Sequence, residues 1–366
     1  MPEVPAVDGV LSATEVATTV ESVRAVQEPS GAIPWYPGGH LDPWDHVESA
    51  MALSAGGHFA AAERAYEWSA RNQRADGSWP MRFRNGGIED HGADTNFCAY
   101  LAVGVWHHFL ITGDREFAAR LWPTVRAGID LVLSAQLPRG EIRWAVGVDG
   151  STLPESLLTG CSSIHHSLRC ALALAESMGS PQPSWEIALG RLGHVLRAHP
   201  EAFTSKDRYS MDWYYPVLGG AVRGEQGRER LRGRWSDFVV AGLGARCVSD
   251  HPWVTGAETC ELVLSLDALG WHSDAVRLFR DMQHLRETDG SYWTGFVYSD
   301  AKNWPVEHTT WTAAAVVLAA DALSRTTPGN GVFRARGLPD GLLGENESEC
   351  GCLTEADPAT DALQHP

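Results

Sequence analysis

Two kinds of helical segment alternate along this chain, and the alternation narrows its fold more than any other feature. One kind is apolar on every side, as in CAYLAVGVWHHFLI (98–111) and TWTAAAVVLAADAL (310–323). The other is amphipathic: in DAVRLFRDMQHL (274–285), Val276, Phe279, Met282 and Leu285 form one stripe and charges cover the rest. A helix apolar all round must be covered all round, whereas an amphipathic one needs cover on one face only. The pattern predicts twelve helices, at 13–27, 44–56, 58–73, 93–112, 114–136, 154–179, 184–199, 212–224, 226–242, 256–269, 273–286 and 307–324. Six enclosed members alternating with six half-exposed ones describe an all-α (α/α)6 toroid, a double ring of six inner and six outer helices. An irregular helical bundle is the competing arrangement. No period-2 alternation lasts long enough for a substantial strand.

A phrase recurs where outer helices end: QEPSGAIPW from Gln27, QRADGSWP from Gln73, QLPRGEIRW from Gln136 and HLRETDGSYW closing on Trp293. Each reads as a corner where a helix stops, the chain turns at Gly and the next inner helix is approached. The irregular spacing makes this a structural repeat and not a clean sequence one.

The ring is expected over 11–325, with a loose arm at 1–10 and a polar acidic tail at 326–366 too poor in apolar residues to order itself. The formal net charge of -17 excludes nucleic acid and anionic membrane as partners, because both would repel such a surface. No run approaches the roughly 18 apolar residues needed to span a bilayer, and the start lacks the basic and apolar regions of a signal peptide. Five of the seven cysteines (Cys98, Cys161, Cys170, Cys247 and Cys260) lie in or beside helices and read as free thiols of a cytoplasmic protein. Cys350 and Cys352 have no His or Cys neighbours to complete a metal site. With no phosphate-binding glycine loop either, neither metal nor cofactor is expected.

The Gln, Gly and Trp phrases resemble the so-called QW motifs of squalene-hopene cyclases and their prenyltransferase relatives. The stretch HHFLITGDREFAARLWPTVRAGIDLVLSAQ (107–136) resembles a helix, Thr-Gly-Asp turn and Trp-Pro-bearing helix common to (α/α)6 glycosidases such as glucoamylases, rhamnosidases and trehalases. The cyclase resemblance implies an Asp-x-Asp-Asp acid or an Asp-Asp-x-x-Asp diphosphate site, but no two aspartates are adjacent in this chain. The Asp-x-Cys of zinc-dependent prenyltransferases is missing as well. The glycosidase resemblance implies a carbohydrate enzyme without fixing the sugar.

In such a ring the inner helices begin at one mouth. The six entrances, HLDPWDHVES, GGIEDHGADTN, STLPESLLTG, SMDWYYP, WVTGAETCE and NWPVEHTTW, each carry an acid. Helix N-termini favour acids in any case, as caps or first-turn charges, and that account competes for Asp42, Asp45 and Asp212. Glycoside hydrolysis needs two carboxyls. Glucoamylases place their acid before the sixth helix and their base before the twelfth, so the resemblance implies Glu155 as acid in an enclosed setting and Glu307 as base, with Glu258 and Asp94 as alternatives. Trp44, Trp79, Trp144, Trp213, Trp253 and Trp304 are expected to offer faces to sugar rings, and Asp45, Asp212, Asn96 and His308 to bind hydroxyls. Arg82 and Arg84 alternate in an extended segment and hint at an anionic substrate. The expectation is an inverting hydrolase acting on a small glycan or glycoside. A sugar isomerase using His46, His91, His308 or the His165–His166 pair, a terpenoid cyclase, and a non-catalytic binding toroid remain as alternatives.

Overall fold

The computed structural model describes residues 3–342. Six helices are buried almost throughout: α2 (Pro43–Ala55), α4 (Thr95–Thr112), α6 (Leu158–Ser177), α8 (Ser210–Leu218), α11 (Gly256–Ala268) and α13 (Thr310–Ser324). Each packs on the next, and α13 returns to α2, so the inner ring closes. Around it stand α1 (Ala13–Val26), α3 (Phe59–Asn72), α5 (Arg115–Ser134), α7 (Pro183–Ala198), α9 (Gly224–Gly233) and α12 (His272–Asp281), with the short α10 (Trp235–Phe238) following α9. The expected (α/α)6 toroid is present. Among the described residues no helix is long and apolar enough to cross a membrane.

The recurring corner has one physical design. Gln27 Nε2 donates to the carbonyls of Gly31 and of Ala61 in α3. Gln73 Nε2 does the same to Gly77 and to Thr124 in α5, and Gln136 Nε2 to Gly140 and to Ala188 in α7. Each glutamine thus ties its own turn to the next outer helix. The turn glycines have φ of 96°, 92° and 125°, and a Cβ on Gly31, Gly77 or Gly140 would fall 2.3, 2.2 or 2.5 Å from a carbonyl oxygen of that neighbour. At the fourth corner Gly290 (φ 86°) is pressed against Thr18 of α1, and the Arg286 guanidinium donates to the Glu15 carbonyl, which closes the outer ring.

Short strands line the approach to the inner helices. β1 (His40–Leu41), β2 (Arg82–Arg84) and β3 (Gly87–Asp90) form one antiparallel sheet; β4 (Ala93–Asp94) pairs with β5 (Ala145–Val146). β6 (Val239–Val240), β7 (Gly244–Arg246), β8 (Trp253–Thr255), β9 (Gly295–Val297) and β10 (Lys302–Asn303) make a five-stranded sheet in order 10-9-8-7-6.

Packing extends past both expected limits of the ring. Val7 is buried and bridges to Leu11, so the arm is partly docked. Beyond 325, Val332, Phe333, Ala335 and Leu338 are buried, and the Arg169 guanidinium donates to the Pro339 and Leu338 carbonyls. This segment carries enough apolar area to dock where the inner helices finish. The acidic stretch from 343, with Cys350 and Cys352, lies outside the described residues.

Candidate active site

A pocket of about 280 Å³ opens where the inner helices begin. α2 contributes Asp42, Trp44 and Asp45; α4 contributes Asp94, Asn96 and Phe97; α6 contributes Thr159, Cys161 and Ile164; α8 contributes Met211 and Tyr215; α13 contributes Trp311. Trp35 and Trp144 complete the walls.

The acids are placed by helix starts. Asp42 caps α2, accepting from the backbone N–H of Trp44 and Asp45 through Oδ1, while its Oδ2 accepts from the Trp35 indole at 2.8 Å. Asp45 follows in the first turn. Burial, then the negative charge of Asp42 and a hydrogen bond to it, hold the Asp45 carboxyl well above the usual carboxylate range. Asp94 caps α4, its Oδ1 accepting from the backbone N–H of Asn96 and Phe97. Burial pushes Asp94 up to about 7, against those two N–H donors, which pull it down. The Asn96 Oδ1 is buried without a hydrogen-bond partner.

Behind the pocket lie two further buried acids that the sequence reading missed. Glu261, one turn beyond Glu258 on α11, accepts from Tyr215 Oη at 2.6 Å and also from Tyr214 Oη; burial raises it to about 8. Glu48 on α2 is raised well above the carboxylate range by burial and by Glu261. The available signal was an acid inside an otherwise apolar helix, in HVESAMAL and ETCELVLSL.

The remaining candidates are dispersed. Glu155 is exposed, in the loop before α6, and accepts from the Trp144 indole at 3.1 Å. Glu307 is half-buried, accepts from Thr294 at 3.3 Å and is raised by burial. Neither lines the pocket, and their enclosure is the reverse of that expected. Glu258 is buried in the first turn of α11 beside Cys247 and Glu261. Asp212 stands behind Thr159, accepting from its hydroxyl at 2.7 Å. Trp79 and Trp213 are core residues whose indoles donate to the Ser69 and Arg230 carbonyls. Trp253 donates to the Trp304 carbonyl, Trp304 is 52% exposed, and His308 packs edge-on against Trp293. Arg82 and Arg84 do share a face, but Glu89 across the hairpin engages both, which removes the hint of an anionic substrate.

No histidine lines this pocket among the described residues. His46 and His165 are held neutral by burial, at about 4 and about 3, and bond backbone carbonyls. Among the described residues no cluster of His, Cys, Asp and Glu is placed to hold a metal ion.

The solved structures this chain is similar to include a glycosidase in complex with glucose, at 16% identity and a TM-score of 0.67, covering 85% of this chain and 96% of that one. They also include a D-mannose isomerase, at 10% identity and a TM-score of 0.62, covering 86% of this chain and 98% of that one. A rhamnosidase from Klebsiella oxytoca aligns with a TM-score of 0.58 at 14% identity, over 85% of this chain and 64% of that one. No family model matches the sequence. These structural likenesses show the fold, a helical toroid shared with glycosidases. In sequence, the chain is 62% identical over 351 residues to a protein of Mycolicibacterium hassiacum named MMP endo-(1,4)-3-O-methyl-alpha-D-mannosidase, covering 96% of this chain and 97% of that protein. The chain belongs to the family of that endo-mannosidase.

Proposed function

We propose that this enzyme hydrolyses internal α-(1,4) bonds of a 3-O-methylmannose glycan, with inversion at the anomeric carbon. The observation that carries the reading is the pocket itself: tryptophans and carboxyls converge where five inner helices begin. Near-complete alignment with the endo-mannosidase supports the substrate class and favours a longer chain over the small glycan or glycoside expected from sequence. Phe97, Ile142, Leu157, Ile164 and Met211 add apolar wall that suits O-methyl groups.

Asp45 and Asp94 are the pair we assign. Acid and base are recognised by environments that push two carboxyls apart, and here Asp45 stays protonated while Asp94 titrates near neutrality. Asp45 gives its proton to the glycosidic oxygen as the bond to the anomeric carbon breaks. Asp94 takes a proton from the water that attacks that carbon from the opposite face. Asp42 fixes the start of α2 and the Trp35 ring. Glu155 and Glu307 are then rim residues, Glu155 holding Trp144 in place.

The test is a set of five variants assayed on α-(1,4)-linked 3-O-methylmannose oligosaccharides. Asp45→Asn and Asp94→Asn should each lower turnover by roughly 10²–10⁴. Glu155→Gln and Glu307→Gln should cost less than about tenfold. The opposite pattern moves the chemistry to the rim. Loss in Glu258→Gln with retention in Asp94→Asn moves the base to α11.

A further inference from the structure

A second cavity adjoins the pocket. The hydrogen bond between Thr159 and Asp212 forms a thin partition, with the pocket on one side and a second cavity of about 560 Å³ on the other. Successive residues face alternate spaces: Leu157 and Thr159 line the pocket and Leu158 the second cavity, while Met211 lines the pocket and Asp212 the second cavity. The first turns of α6 and α8 therefore serve both volumes.

The chemistry of the second cavity is that of a site for neutral polyols. Buried Phe203 and Trp213 supply its apolar lining, and Thr204, Ser205 and Asp207 come from the loop before α8. Its two guanidiniums are already engaged. Arg230 donates to the Trp213 and Asp212 carbonyls, and Arg234 donates to Asp237 and to the Asp207 carbonyl. Within the lining, Asp207 and Asp212 balance Arg230 and Arg234, so no net charge is left to select an ion. Hydroxyls, two carboxylates and guanidinium edges beside an apolar lining match the alternating polar and apolar surfaces of a sugar chain. The volume falls in the range that encloses a sizeable ligand.

We propose that this cavity is a distal subsite holding sugar units of the glycan beyond the cleaved linkage, so that the enzyme reads chain length. The proposal rests on the glycan substrate proposed above. The experiment compares wild type with Ser205→Trp, which fills the cavity from an exposed loop, and with Asp207→Ala, on a length ladder of α-(1,4)-linked 3-O-methylmannose oligosaccharides. Wild type should show kcat/KM on the longest member roughly tenfold or more above the shortest one cleaved. Both variants should drive that ratio toward one, chiefly through KM on the long members, while circular dichroism confirms an unchanged fold. If wild type cleaves the ladder but the ratio is the same in all three proteins, the subsite is overturned and the glycan reading stands. If wild type cleaves no member, the glycan reading itself fails, and the subsite with it.

Discussion

At Gly77 two demands meet: a φ of 92° and a neighbouring carbonyl 2.2 Å from where a Cβ would stand. Gly113 shares only the first, with a φ of 66° and open space around it. Gly113→Ala should therefore cost about 1 kcal/mol, the ordinary penalty at a left-handed helix cap. Gly77→Ala adds a backbone clash and should cost about 3 kcal/mol or more. Gln73→Ala removes two hydrogen bonds and leaves two carbonyls short of a donor, at about 1–3 kcal/mol. Urea denaturation with an unchanged m-value measures all three. Equal losses at Gly77 and Gly113 would mean that α5 does not press on this turn. The corner was legible because Gln, Gly and Trp recur as residue types. Its contacts were not, because the second partner of each glutamine is a carbonyl on another helix, which no local spacing encodes.

Among the elements, α11 shows what a helix pattern reveals and what it conceals. Its apolar character placed it in the inner ring, and its bounds fall within one residue of expectation. Yet Glu261, buried against Tyr214 and Tyr215, interrupts that character without breaking it. Its carboxyl is raised from an ordinary 4.5 to about 8, so between those values the folded protein holds a proton that the unfolded chain has released. Stability from this group is fully present below pH 4.5 and is lost as pH rises through 8. Glu261→Gln removes that loss, so the melting temperature of the variant relative to wild type should rise between pH 5 and pH 8 and level off above it. A flat difference would show that Glu261 is ionised in the folded state. The entrance to α6 taught the opposite lesson. The sequence put Glu155 inside the helix, but the Glu155 carbonyl accepts from the Trp144 N–H, and the helix starts only at Leu158. Glu155 thereby falls in an exposed loop. Asp94 was ranked second although its cap position, just before an apolar run, was readable; its burial was not, because the walls come from helices distant in sequence.

For the molecule as a whole, closure of the ring decides both stability and chemistry. The segment after 325 docks where the inner helices finish, with Phe333 6% exposed and stacked on His166 at 5.3 Å. Phe333→Ala should cost about 3–5 kcal/mol, measured by thermal unfolding, and a loss below 1 kcal/mol would show that the segment is dispensable. At the other end the inner helices deliver caps and first-turn acids to one opening, which is why a pattern of helix faces was enough to place the mouth. It was not enough to choose among the carboxyls there, because that choice depends on which of them the tryptophans enclose. The assignment of Asp94 also fixes the pH profile: kcat/KM should fall on the acid side as Asp94 gains its proton, near pH 7. The most direct test of the central claim is the anomer that wild type releases first from an α-(1,4)-linked 3-O-methylmannose oligosaccharide, followed by proton NMR before mutarotation. Direct attack of water opposite the departing oxygen predicts the β-anomer first. Initial appearance of the α-anomer would contradict the account, because it requires a covalent intermediate on a carboxylate that attacks in place of water.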